Sequence, residues 1–191
     1  MRKIVFDIET SNQFSDVGSS DPTALDISVV CIHDSETDQY LHFLQEDFGA
    51  LWKFIERADM LIGFNSNHFD IPLLNKYYPG DLTRIKSLDL LKEIHGSLGR
   101  RIKLDTIAEA TLGEKKSGHG LQALKWWRDG ERQRVIDYCI QDVKVTKKIY
   151  DYALKHGKVK YKDLGKMKDI PLDTSSWEER EDAALTHTLP F

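Results

Sequence analysis

The apolar positions of this chain change period along its length. Residues 3–9, KIVFDIE, read as a strand; the β-branched run ISVVCIHD (27–34) and the alternating QYLHFL (39–44) follow. Turn-forming residues separate the last two, so the first 44 residues predict a meander of three antiparallel strands. The pattern then shifts to a helical period. EDFGALWKFIERA (46–58) puts Phe48, Leu51, Trp52 and Ile55 on one face. MLIGF (60–64) is a short buried strand. FDIPLLNKYY (69–78) reads as a helix, with Pro72 in its first turn, where a missing N–H costs little. Residues 85–91 predict another strand. Asp105 with Glu109 marks a helix start, and Gly113 its stop. LQALKWWRDG (121–130) is a short helix ending at Gly130. Residues 131–155 carry the longest helical pattern, through Val135, Ile136, Cys139, Val143, Thr146, Ile149, Tyr150 and Ala153. Loops occupy 11–22 and 114–120, and there is no internal repeat. Strands first, then alternating strands and helices, predict an α/β fold with a mixed central β-sheet flanked by α-helices. The domain is drawn over residues 1–168, with 169–191 an acidic C-terminal tail.

Composition narrows the class. With 191 residues, 40% hydrophobic and 30% charged, the chain can bury a core and is not of the disordered type. No apolar run approaches the roughly 20 residues of a membrane helix, and the first residues lack a signal-peptide pattern. A cytoplasmic location with no membrane partner is expected. Cys31 and Cys139 lie in apolar patterns far apart and read as buried thiols; without a CxxC or a Cys/His cluster, no structural zinc site is expected. The net charge of −4 hides a segregation. Residues 143–168 carry nine Lys against two Asp, for +7, while 169–191 carry −5. The basic segment suits a phosphate backbone, and equally a solvated Lys-rich helix face.

Three stretches hold candidate chemistry. In VFDIET (5–10), Asp7 and Glu9 are two apart in a strand and share a face, opposite Phe6 and Ile8. Like charges that close repel unless a cation lies between them, although an edge strand with a solvated acidic face also fits. In GFNSNHFDIPLL (63–74), Asn65, His68 and Asp70 fall at a strand-to-helix connection, where ligands of α/β sheets gather; Asp70 could also cap the helix. In YCIQDVKVT (138–146), Tyr138 and Asp142 are four apart on the sheet-facing side of the last helix. A carboxylate there is costly unless paired or metal-bound; a Tyr–Asp hydrogen bond at the rim of the core is the other reading.

The order of these motifs, D-x-E in FDIET, then GFN…FD, then Y-x-x-x-D in YCIQDV, resembles the DEDD superfamily of 3′–5′ exonucleases in its tyrosine-containing branch. It is most similar to stand-alone relatives of the proofreading exonuclease domain of family B DNA polymerases. The resemblance covers about residues 1–160. The histidine branch would need an imidazole at position 137, which is Asp. The resemblance implies a ribonuclease H-like fold and a two-ion phosphodiester hydrolysis with Mg²⁺ or Mn²⁺, hard cations that suit carboxylate oxygens. It further implies that Asp7 bridges both ions, that Glu9 and Asp142 complete the nucleophile-side site, and that Asp70 holds the second ion. Tyr138 would orient the attacking water, since a phenol with a pKa near 10 is a poor base at neutral pH. Thr10, Asn65 and Phe69 match substrate-binding positions, although Phe69 equally fits a core. The expected substrate is the 3′ end of a single strand, with DNA favoured. The alternatives are an RNA-directed exo- or endonuclease and a catalytically silent binding module.

Other residues carry weaker signals. Trp126 and Trp127 are read mainly as core, with one a candidate stacking platform for a base. Arg100, Arg101, Lys103, Lys115 and Lys116 could steer a strand. His119 is read as a loop residue, and Asp89 and Asp105 as a strand end and a helix cap. The Lys run is taken to continue the helix that bears Asp142. The tail, ending in Leu189 and Phe191, loosely resembles peptides that dock on sliding clamps, which would give a replication or repair partner.

Overall fold

In a computed structural model of the protein, which describes residues 1–114 and 120–179, the strand at the start of the chain becomes the middle of the sheet. β1 (Lys3–Thr10), β2 (Ile27–Asp34), β3 (Gln39–Phe43), β4 (Met60–Gly63) and β5 (Lys86–Asp89) form one five-stranded sheet in the order β3-β2-β1-β4-β5. The first three strands pair antiparallel, as the meander predicts, while β4 and β5 add in parallel to β1.

Strand alternation sorts the core into two halves. Ile4, Phe6 and Ile8 of β1, Val30 and Ile32 of β2 and Leu61 of β4 face one side, covered by α2 (Phe48–Ile55) and α3 (Asp70–Asn75), with the short α1 (Phe14–Val17) at its edge. Val5, Val29, Cys31, Met60 and Ile62 face the other side. That face is covered by α7 (Arg132–His156), which packs on β1 and β2, together with α4 (Leu90–Leu98), α5 (Leu104–Leu112) and α6 (Gly120–Arg128). Both faces of β2 are buried, so its sequence is a continuous apolar run rather than an alternation.

Several boundaries differ from the sequence pattern. Residues 85–91 hold two elements: β5 stops at Asp89, whose carboxylate caps α4 by accepting from the N–H groups of Leu91 and Lys92. α5 begins at Leu104, and Asp105 sits in its first turn rather than at the cap. The Lys run does not continue one helix. α7 ends at Gly157, whose left-handed backbone (φ 62°) returns its N–H to the Ala153 carbonyl. The chain then forms a hairpin of β6 (Lys158–Asp163) and β7 (Lys166–Pro171), in which Val159 and Tyr161 are buried and the lysines alternate with them. β7 passes through residue 168, and Leu172 and Trp177 beyond it are buried, the indole stacked on Tyr150 with ring centres 5.8 Å apart.

The chain's second residue is fixed by a buried ion pair. Arg2 donates through Nε and Nη2 to Asp34, both at 2.9 Å. Burial acts to raise the Asp34 pKa, but the Arg2 guanidinium, the Glu36 N–H and the Thr37 hydroxyl together hold it below the usual carboxylate value.

Candidate active site

β1 and α7 carry most of the site. Asp7 and Glu9 project from β1 toward α7, as the two-residue period requires, and Asp142 projects from α7 toward them. Ligand oxygens of the three carboxylates lie within 4.8 Å of one another, with Asp142 buried and Asp7 and Glu9 half-buried. The helix is seated by two thiols: Cys139 Sγ donates to the Asp7 carbonyl at 3.4 Å, and Cys31 Sγ to the Ile136 carbonyl at 3.8 Å. Burial pushes the Cys139 thiol well above its ordinary pKa, so it packs as a small neutral group. Tyr138, one residue earlier, is buried, with the Trp126 ring edge-to-face at 6.1 Å. Asp137 is exposed and accepts from Gln133 at 2.9 Å.

Asp70 stands outside the group of three but beside it. It is the first residue of α3 and buried, and the backbone N–H of Ile8, the residue between Asp7 and Glu9, acts on its carboxyl to lower its pKa. Burial first, and then the nearby Asp89 carboxylate, push its pKa up to about 7, against the lowering effect of the Asp70 and Ile8 N–H groups.

The connection from β4 to α3 owes its shape to a glycine and an aspartate. A Cβ on Gly63 would meet Ser66 Cβ at 2.4 Å, so the turn closes only over glycine. Asn65 takes a left-handed conformation (φ 68°), which Asn tolerates better than most residues. Asp89 then accepts from the N–H groups of Asn65 (2.7 Å), Asn67 (3.1 Å), Leu91 (2.9 Å) and Lys92 (3.3 Å). One buried carboxylate thus ties this connection to the start of α4. The sequence marks Asp89 as a local strand end; its reach across 24 residues to Asn65 has no local signal.

The proposed substrate residues are spread around the cluster. Thr10 ends β1 half-buried, its hydroxyl donating to the Asn12 carbonyl at 2.8 Å. Asn65 accepts from Arg101 at 2.6 Å and lines an open cleft of about 400 Å³ with Asn67, His68, Lys92, His95 and Arg101. Phe69 is half-buried, packing on the apolar core and edge-to-face on Phe14 at 6.2 Å. Arg100 turns away from Arg101 to lie 5.5 Å over Tyr161. Trp126 and Trp127 are both half-buried and both pack against the core, and the Arg132 guanidinium lies 3.8 Å from the Trp127 ring centre. In the Lys run, Lys147, Lys148, Lys158 and Lys168 pair with Asp151, Glu114, Asp169 and Asp163. Those four are neutralised locally, which weakens the continuous phosphate track expected from composition. Lys115, Lys116, His119, Leu189 and Phe191 lie outside the described residues.

The donor set fits a metal. Three carboxylates this close repel one another, and hard oxygen donors match a small divalent cation better than any soft one. Among the described residues, no helix is long and apolar enough to cross a membrane.

Comparison with known proteins agrees with this architecture. No curated protein sequence matches the chain. Among solved structures, the chain is similar to the family B DNA polymerase from the hyperthermophilic archaeon Pyrobaculum calidifontis, with a TM-score of 0.63 and 20% identity. The match covers 81% of this chain and 24% of the polymerase, so the chain spans about a quarter of that protein, and the likeness is one of fold. A family model described as RNase_H superfamily matches residues 4–154. A five-stranded mixed sheet whose central strand faces a helix across three carboxylates is thus the local form of a known architecture, and the chain belongs to the RNase_H superfamily.

Proposed function

We propose that the protein is a metal-dependent 3′–5′ exonuclease of the tyrosine-containing DEDD branch, hydrolysing phosphodiester bonds at the 3′ end of single-stranded nucleic acid. The observation that carries this reading is the convergence of Asp7, Glu9 and Asp142, with ligand oxygens inside 4.8 Å. When bound there, a pair of Mg²⁺ or Mn²⁺ ions would supply acidity to an attacking water and neutralise charge on the departing 3′ oxygen. Asp7, Glu9 and Asp142 would hold the ions on the side of the attacking water, and Asp70 would serve the side of the departing oxygen. Tyr138 orients the water. Asn65, Phe69 and Thr10 hold the terminal nucleotide. Lys92 and Arg101 of the adjoining cleft meet the phosphates. The similarity to a DNA polymerase favours DNA over RNA.

The test is a gel-resolved time course on 5′-labelled single-stranded DNA and RNA, with Mg²⁺, Mn²⁺ or EDTA, comparing wild type with Asp7→Ala. A metal-dependent ladder that shortens from the 3′ end and is absent in the variant supports the reading, and shows which sugar is preferred. Internal cuts mean an endonuclease. Strand binding without cleavage by folded wild type means a silent binding module.

A further inference from the structure

The structure has a second cleft, of about 520 Å³, around the end of β1. Its walls include Ser11, Ser28, Gln45, Lys76, Trp127 and Arg132, and it also borders the two acids Asp26 and Glu46. It adjoins the carboxylate cluster through the backbone. Glu9 pairs with Val29 and Thr10 with Ile27, so Ser28 is the extra residue of a β-bulge one step from Glu9. Bulges of this kind re-aim a side chain. Ser28 is 1% exposed, and its hydroxyl has no hydrogen-bond partner although it lines the cleft. A buried hydroxyl left without a partner is unfavourable, and it marks a position where a ligand atom can complete the bond.

The charge balance decides between kinds of ligand. Lys76 and Arg132 face Asp26 and Glu46, and Lys76 is tied to Asp26 at 3.0 Å and to the Leu25 carbonyl at 2.8 Å. A phosphate would meet two carboxylates here and one committed lysine, so this wall is a poor phosphate track. A neutral planar heterocycle meets no such conflict. Trp127 and Arg132 already form a stack with the guanidinium 3.8 Å from the ring centre, and both are accessible from the cleft. Indole and guanidinium planes are surfaces on which nucleobases stack.

We infer that this cleft is a base-binding subsite, which takes one unstacked nucleobase of the bound strand against the Trp127–Arg132 stack and hydrogen-bonds its edge through Ser28 Oγ. The inference rests on the strand-binding part of the proposed function and not on its hydrolytic part.

The test measures binding without turnover. Fluorescence anisotropy in EDTA is recorded for a labelled oligothymidylate and for an all-abasic strand of the same length. Trp127→Ala is expected to raise the Kd for the oligothymidylate about tenfold, the range of one base–aromatic stack, and to leave the abasic strand unchanged. Trp127→Phe retains a ring and is expected to restore most of the affinity. Ser28→Ala removes only an unpartnered hydroxyl, so it keeps the fold, and it is expected to weaken the oligothymidylate roughly threefold. The inference is overturned by equal losses on both strands, by no loss with Trp127→Ala, or by wild type that binds neither strand. Hydrolysis in Mg²⁺ is scored separately. Cleavage with a Trp127-independent Kd removes the subsite and keeps the nuclease, while base-dependent binding without cleavage does the reverse.

Discussion

Cys139 Sγ touches the backbone carbonyl of Asp7 across 3.4 Å, and that contact sets the height of α7 above β1. Tyr138 precedes this cysteine by one residue and Asp142 follows it by three, so any change in its volume moves both. Cys139 is fully buried, and Cys139→Leu has no room to expand. It is expected to cost about 1–3 kcal/mol of stability and to slow hydrolysis by more than the loss of folded protein explains. Urea denaturation beside initial rates on folded enzyme separates the two effects; rates that merely track the folded fraction would deny the contact a positioning role.

Asp142→Ala should leave the fold intact and remove turnover. The side chain is one of three carboxylates inside 4.8 Å, so its loss relieves like-charge repulsion in metal-free protein while taking away a ligand. A rate decrease of roughly 10²–10³ or more is expected, with a melting temperature in EDTA no lower than that of wild type. Near-normal rates would sink the assignment of this residue to the site.

Tyr138→Phe keeps the ring that Trp126 packs against and removes only the hydroxyl. Turnover is expected to fall about tenfold to a hundredfold through misplacement of the attacking water. Affinity for Mn²⁺, read by titration calorimetry, should stay at the wild-type value. A collapse of metal affinity would instead place the phenol in the support of the ligands.

Gly63→Ala tests the turn that carries Asn65 and Asp70. The new Cβ would lie 2.4 Å from Ser66 Cβ, so the backbone of the connection must move. About 1–3 kcal/mol of destabilisation is expected, together with slower hydrolysis. An unchanged melting temperature and rate would mean that the connection yields freely.

The Arg2–Asp34 pair gives a pH dependence with a definite sign. The folded-state pKa of Asp34 is held below its unfolded value, so its stabilisation is complete above the unfolded value, near 3.9. It is lost as pH falls through the folded value. Wild-type stability from urea denaturation should therefore drop below about pH 4. Arg2→Ala leaves a buried carboxylate without its cation and is expected to cost about 3 kcal/mol at pH 7. The variant should then lose less than wild type on acidification, and parallel pH curves for the two proteins would refute the linkage.

Much of the sheet is legible in the sequence because each strand face meets a separate apolar layer. Ile4, Phe6 and Ile8 fall on one side, and Val5 with the two acids on the other. α7 is legible because its buried positions keep a helical period for 25 residues. The hairpin after it is not, because only Val159, Tyr161 and Ile170 of its two strands are buried, and lysines dominate the count. α4 is hidden because its apolar start, Leu90 and Leu91, adjoins β5 without an intervening loop. In the site, strand period alone puts Asp7 beside Glu9. Three features follow only from tertiary structure: the reach of Asp89 to Asn65, the bulge at Ser28 and the cleft beside Trp127.

The central place of β1 also has a consequence for biogenesis. Its partner on one edge is β4, which itself pairs with β5, both later in the chain, and Cys139, which docks on Asp7, lies 132 residues further on. Lys3 pairs with Glu178, later still. During synthesis β2 can pair with one edge of the first strand early, but its other edge and its helix-facing side must wait for later chain, since non-local pairing is slow and domains fold as units. The acidic cluster therefore assembles among the last features of the molecule, and a ribosome-bound nascent chain that ends before α7 lacks the third carboxylate.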